Sequence, residues 1–172
     1  MSLDPTVRTW IDPDTPPDRM EMWLDVPNRH NTVMVASRGE TAPVDIKMAE
    51  LVYMLWQLGI RTSSSCEDVL QLKFGKDYAA ALEARNGKMA HLVFPTVTAF
   101  QAAVRLFDDV ADFYRSDRWR LSVWAQNEDV DLAGEMLFPA AEIEGVTAYV
   151  RDLIGRIKAD EETKHLLPAD WS

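Results

Sequence analysis

Two segments of the chain share one order of features: an apolar strand-like run, the dipeptide Phe-Pro and an amphipathic helical stripe. The first run is Met89 to Phe94, followed by Pro95, and the second is Glu135 to Phe138, followed by Pro139. Proline suits the first turn of a helix, because the N–H that it lacks would have no intrahelical partner there. We therefore predict a strand and a helix at each junction, with Phe94 and Phe138 in the core between sheet and helices.

The helices after these junctions are indicated by apolar residues three or four positions apart. These residues are Val97, Phe100, Val104, Phe107 and Ala111 in the first helix and Ile143, Val146, Val150, Leu153 and Ile157 in the second. Between the helices, Trp119 to Ala125 alternates as a strand. The order strand, helix, strand, strand, helix is most of a ferredoxin-like split βαβ arrangement. We predict an α+β fold in which the helices pack on one face of a sheet.

The first half of the chain supplies a candidate fourth strand. A helical stripe begins at Val44 and ends at Gly59, where a C-terminal cap is expected. Ile60 to Ser64 then reads as a strand leading to Cys66, which would complete a permuted version of the ferredoxin-like sheet. Further upstream, Glu21 to Val26 and Thr32 to Ala36 are strand-like, and the turn residues between them indicate a hairpin.

The predicted organisation is an arm followed by one domain. Residues 1–20 are rich in Pro and Asp and read as an extended arm, and residues 21–172 form a single α+β domain. Asp77 to Asn86 is alanine-rich and predicts a short helix that ends at Gly87. Residues 67–76 are left open: alternation favours a strand, whereas Ser65 and Asp68 could open a helix.

Charge and cysteine usage set several functions aside. The net charge of -10 argues against general binding to nucleic acid, although an acidic surface could capture a basic partner. No apolar run approaches the roughly 20 residues that span a bilayer, and because no basic region followed by an apolar stretch begins the sequence, we expect no secretory signal. Cys66 is the only cysteine, which excludes an intrachain disulfide and a multi-cysteine zinc site. We expect a cytoplasmic protein with no metal, no cofactor and no membrane contact.

A run of hydroxyl groups beside the cysteine is the first candidate ligand site. Its residues are Arg61, Thr62, Ser63, Ser64, Ser65 and Cys66. Hydroxyls at the end of a strand are placed to hold a small anionic ligand, and a helix beginning at Cys66 would favour its thiolate. The alternative is that the serines turn the chain while Cys66 packs as a small hydrophobic residue.

Arg120 and Trp124 form a second candidate. Both lie on the same face of the strand at 119–125, and an arginine with a tryptophan could stack on a planar, nucleotide-like anion. In the alternative, Trp119 belongs to the core and the stem of Arg120 covers Trp124. A nucleophilic Cys66 would also need a histidine base. The candidates are His30, His91 and His165, and the apolar neighbours of His91 favour a structural role.

The pattern Leu55-Trp56-x-x-Gly59-Ile60-x-Thr62-x-Ser64-x-Cys66, followed later by Phe94-Pro95-Thr96, resembles small uncharacterised proteins of actinobacteria and their phages. The resemblance covers about residues 44–160 and implies no activity. Thr62 to Cys66 is also similar to a Thr-Ser-Ser-Cys-type segment of the methyltransferase family of tRNA wybutosine synthesis. That family continues with Ser-Gly-Arg, whereas this chain has Glu67-Asp68-Val69, which replaces a basic group with two acids.

Three functions follow as hypotheses. The first is a non-enzymatic binding protein, such as a phage-encoded accessory or counter-defence factor, that holds a small nucleotide-like ligand or a protein partner. The second is an enzyme centred on residues 62–68, similar to the tRNA-modifying methyltransferases. The third is an acidic structural or interaction module, in which two copies could pair.

Overall fold

The computed structural model describes residues 32–70, 76–108, 118–125 and 132–160. The chain divides into two compact units, residues 1–59 with 150–172 and residues 60–149. The α+β prediction is confirmed: the described residues form four α-helices and two antiparallel sheets, with helices packed against the sheets. The arm at residues 1–20 and the strand expected at Glu21 to Val26 lie outside the described residues.

The first unit contains a β-hairpin and a helix. Strands β1 (Thr32–Ser37) and β2 (Glu40–Asp45) pair antiparallel, and helix α1 (Ala49–Gln57) packs against both. Arg38 and Gly39 connect the strands with φ of 51° and 80°, the pattern of a two-residue turn whose twist matches that of the strands. The Arg38 guanidinium donates to the Gln57 carbonyl at 3.1 Å, which ties this turn to the end of α1.

The hairpin corrects one sequence-based prediction and confirms another. Residues 32–36 form a strand, as predicted, and this strand pairs with β2, which sequence analysis had not identified because Val44 was assigned to a helix. Val44 belongs to β2, so the helix begins at Ala49 rather than at Val44. Val44 fits both patterns because it is buried in either case. Gly59 has φ of 78°, as expected for the residue that ends the helix.

The second unit contains the four-stranded sheet. Its strands are β3 (Ser64–Cys66), β4 (Met89–Phe94), β5 (Arg120–Ala125) and β6 (Leu132–Pro139). They lie in the order β3-β4-β6-β5, and all three neighbouring pairs are antiparallel. Helices α2 (Lys76–Asn86) and α3 (Val97–Phe107) belong to this unit, and α4 (Ile143–Ala159) begins in it.

This strand order is the permuted split βαβ arrangement. Helix α3 connects β4 to β5, and β6 lies between those two strands. Strand β3 fills the fourth position beside β4, as predicted, although it begins at Ser64 rather than at Ile60. The short helix after residue 76 is confirmed, and Gly87 ends it with φ of 73°. Leu70 is helical, whereas residues 71–75 lie outside the described part of the chain.

One face of the sheet forms the main core of this unit. Its inward side chains are fully buried: Ala90, Leu92, Phe94, Met136 and Phe138. Helix α3 adds Phe100, Ala103 and Phe107. The Trp119 ring stacks on Phe138 with 4.6 Å between ring centroids. The prediction that Phe94 and Phe138 occupy the core is confirmed.

Neither proline takes the helical position expected for it. Thr96 is the N-cap of α3, and its hydroxyl accepts the Ala99 N–H at 3.1 Å, so Pro95 precedes the cap. Pro139 is the last residue of β6, opposite Met89, and a 3-10 turn at Ala140–Glu142 separates it from α4. None of the described helices has both the length and the apolar character to cross a bilayer.

Candidate functional site

The other face of the sheet carries residues of both candidate groups. Residues directly opposite one another in neighbouring strands point to the same face. One row across the four strands therefore runs Cys66, His91, Leu137, Arg120, and the next runs Ser64, Val93, Glu135, Ser122. Trp124 follows Ser122 on the same face of β5. The sequence had placed these residues in two unrelated segments.

The two groups nevertheless lie at opposite edges of this face. Strands are about 4.8 Å apart, so three spacings put Cys66 and Arg120 about 14 Å from each other. Arg120 and Trp124 are four residues apart on β5, which is about 13 Å along a strand. A ligand that contacts both side chains has to extend along β5, because they do not flank one ring.

A buried histidine–carboxylate pair lies between the two edges. His91 Nδ1 is 2.8 Å from Glu135 Oε1, and the two side chains are only 12% and 4% exposed. The Ser122 hydroxyl donates to Glu135 Oε2 at 3.5 Å. Buried charged groups are rare unless they are paired, so this contact explains how Glu135 is tolerated inside an apolar strand. Sequence reasoning missed Glu135, although a lone acid in the run from Leu132 to Phe138 was a signal.

Cys66 packs mainly as a small apolar side chain. The residue is 6% exposed and belongs to a buried cluster with Val69, Leu70, Ala79, Leu82, Met89 and Leu137. Its sulfur accepts the Asp68 N–H at 3.4 Å. The Asp68 carboxylate in turn lies 2.9 Å from Lys88 Nζ, and this hydrogen bond and charge raise the pKa of Lys88. These contacts hold the segment after β3 against the start of β4.

The hydroxyl run forms an edge strand and the residues leading into it. Ser63 N–H donates to the Val93 carbonyl at 2.8 Å, and the Ser63 hydroxyl donates to the same oxygen at 3.4 Å. Ser64 is exposed, whereas Ser65 is half-buried and points to the opposite face. Arg61 is exposed and Thr62 is half-buried. Backbone hydrogen bonds to β4 therefore hold this segment in place.

Strand β5 is exposed along its whole length. Among its six residues, Leu121 is 39% exposed, Val123 48% and Trp124 39%. Only one edge of β5 pairs with another described strand, namely β6. Trp119, which precedes the strand, is by contrast held against the core: its ring stacks on Phe138, and its indole N–H donates to Glu142 at 2.6 Å.

Within the described residues, no group of three or more His, Cys, Asp or Glu side chains could hold a metal ion. No protein-family model, no curated protein and no solved structure matches the chain.

Proposed function

We propose that this chain is a non-enzymatic binding protein and that β5 is the strand through which it contacts a protein partner. The observation that carries the proposal is the exposure of β5. Five large apolar side chains of the described residues are exposed, and three of them lie on this one strand: Leu121, Val123 and Trp124. Exposed apolar side chains grouped on one strand, Leu121 and Val123 on one face and Trp124 on the other, are typical of an interaction site.

The chemistry of the strand supports the same proposal. An edge strand presents unpaired N–H and C=O groups, and natural proteins protect such edges with lysine, proline or inward-pointing charges. The segment Arg120–Ala125 contains neither lysine nor proline, and its only charge is Arg120 at the end. An extended partner segment can add to this edge through backbone hydrogen bonds, while its alternate side chains contact Leu121 and Val123 on one face and Trp124 on the other.

A protein partner fits this surface better than a small nucleotide-like ligand. The hydroxyl segment and the Arg120–Trp124 group lie at opposite edges of the sheet, so they do not converge on one compact ligand. The proposal retains the hypothesis of an accessory or counter-defence factor that acts through protein contacts.

The experiment uses a photoreactive amino acid at Val123 in the full chain, expressed in its native host. The matched control carries the same group at Thr98, an exposed position of helix α3. Illumination should yield a discrete adduct from position 123 and none, or a different set, from position 98. The same faint adducts from both positions would show that β5 is not a contact strand.

A second candidate function is a thiol-dependent enzyme. The observation that favours it is the row Cys66–His91 together with the His91–Glu135 pair. A nucleophile, a base and a group that orients the base are the parts of a catalytic triad. The burial of Cys66 in an apolar cluster argues for the binding protein instead.

The rate at which native Cys66 reacts with a thiol reagent decides between the two candidates. A catalytic thiol reacts quickly, and His91→Gln slows the reaction because it removes the base. A structural thiol reacts only after the chain unfolds. His91→Gln should then change the reaction rate only as far as it changes the free energy of unfolding. S-adenosylmethionine binding, measured by calorimetry, tests the methyltransferase resemblance separately.

A further inference from the structure

We infer that the partner strand of β5 is β5 of a second copy of this chain, paired antiparallel about a two-fold axis at Ser122. The inference rests on the proposed use of β5 as a contact strand and names its partner. It would join two four-stranded sheets into one sheet of eight strands, with both copies presenting the same six residues.

The alternation of β5 limits the registers that such a pair can adopt. Arg120, Ser122 and Trp124 point to one face, and Leu121, Val123 and Ala125 point to the other. When two sheets join edge to edge in one continuous sheet, opposite residues must point to the same face. The two central registers that satisfy this condition place the two-fold axis at Ser122 or at Val123.

The register centred on Ser122 gives every described side chain from 120 to 124 a complementary partner. Leu121 lies opposite Val123 of the partner subunit, so two exposed apolar side chains cover each other. Arg120 lies opposite Trp124 of the partner subunit, where a guanidinium can stack on an indole. Ser122 meets its own copy. Within one chain, Arg120 and Trp124 are too far apart to flank one ring. Across the pair, each of them lies opposite the other residue of the second chain.

The register centred on Val123 is less complementary. It places Leu121 opposite Ala125 of the partner subunit and Ser122 opposite Trp124 of the partner subunit. Arg120 then has no partner within the strand. The chemistry of the segment therefore selects the axis at Ser122.

Charge also favours contact through this strand. Each chain carries a net charge of -10, so two copies repel each other. Residues 120–125 contain no acid, and Arg120 is the first residue of the strand. Added salt, which screens the repulsion between two acidic chains, should therefore strengthen the dimer.

The decisive variant is Ser122→Cys. Opposite residues in an antiparallel pair have Cα atoms about 4.5–5.5 Å apart, within the roughly 4.4–6.8 Å that a disulfide requires. Under mild oxidation, Ser122→Cys should form a covalent dimer faster than Val123→Cys and much faster than Thr98→Cys. The wild-type chain, whose only cysteine is the buried Cys66, should form none. Faster cross-linking of Val123→Cys would overturn the register.

Light scattering over a concentration series tests the association without any new cysteine. As the protein concentration increases, the wild-type molar mass should rise from 19.5 kDa toward twice that value, at lower concentrations when the salt is higher. The molar mass of Leu121→Lys should stay at that of a single chain. Self-pairing is overturned if the wild-type molar mass stays at that of a single chain and Ser122→Cys cross-links no faster than Thr98→Cys. A Val123 photo-adduct with a different protein would then leave the proposed function standing, whereas its absence would remove both.

Discussion

Phe100 occupies the space that a side chain at Gly134 would need. A Cβ atom built on Gly134 would lie 2.6 Å from Phe100 Cβ, closer than real Cβ contacts. Gly134 is in the middle of β6, and Phe100 is the buried anchor of helix α3. The helix can therefore approach the sheet so closely only because residue 134 has no side chain.

We expect Gly134→Ala to destabilise the fold by about 1–3 kcal/mol, the usual cost of an extra methyl group in a packed core. The matched control is Gly145→Ala in helix α4, where an added Cβ meets nothing within 4 Å. That change should be neutral or stabilise by up to about 1 kcal/mol, because alanine is the better helix former. Urea denaturation of both variants tests this, and equal midpoints would contradict the close approach of Phe100.

Truncation of the two junction phenylalanines should be the most damaging change in the sheet. Phe94 and Phe138 are both fully buried, and Phe→Ala in a core typically costs about 3–5 kcal/mol. Val123→Ala on β5 should change stability by only about 0.5 kcal/mol, because the residue is 48% exposed. Denaturation midpoints that rank Val123→Ala with the phenylalanine variants would show that β5 is buried in the isolated chain.

Removal of one partner from the His91–Glu135 pair should cost more than removal of both. His91→Leu leaves a buried carboxylate with fewer partners, which costs about 1–3 kcal/mol. Adding Glu135→Leu to that variant should recover part of the loss, because two apolar groups replace the pair. A double-mutant cycle in urea measures this coupling. Additive effects would mean that the 2.8 Å contact contributes nothing to stability.

The ion pair between Lys88 and Asp68 should contribute little to stability, and this contribution should depend on pH only in the alkaline range. The hydrogen bond to Asp68 raises the pKa of Lys88 above its ordinary 10.5. The stabilisation is therefore complete below that ordinary value and is lost as the pH rises through the raised pKa. Because Lys88 is largely exposed, Asp68→Asn should cost less than about 1 kcal/mol. An NMR titration should show a lower Lys88 pKa in Asp68→Asn, and an unchanged value would exclude the pair in solution.

Much of the second unit could be predicted from the sequence because the spacing of its apolar residues distinguishes strands from helices. The repeated strand–Phe-Pro–helix order fixed the strands β4 and β6 and the core positions of Phe94 and Phe138. The hairpin of the first unit was missed because Arg38 adopts a positive φ, which sequence reasoning expects of glycine or asparagine. Val44 also fitted a helical stripe, although it belongs to a strand.

The candidate site was less predictable because it depends on which strands become neighbours. Nothing local to Cys66 indicates that His91 lies opposite it, since the register of β3 with β4 sets that contact. Alternation in Arg120–Ala125 indicates two distinct faces, but not that both are exposed. Exposure is decided by what packs on the strand, and that information lies elsewhere in the chain.

We propose that the exposed apolar residues of β5 serve contact with a partner rather than folding. The most direct measurement is the yield of the Val123 photo-adduct with and without Leu121→Lys in the same chain. We predict that Leu121→Lys abolishes the adduct while the urea midpoint, measured at a concentration at which the chain is monomeric, stays unchanged, because residue 121 is exposed in the isolated fold. An adduct that survives Leu121→Lys, or one lost only together with the fold, would contradict the account.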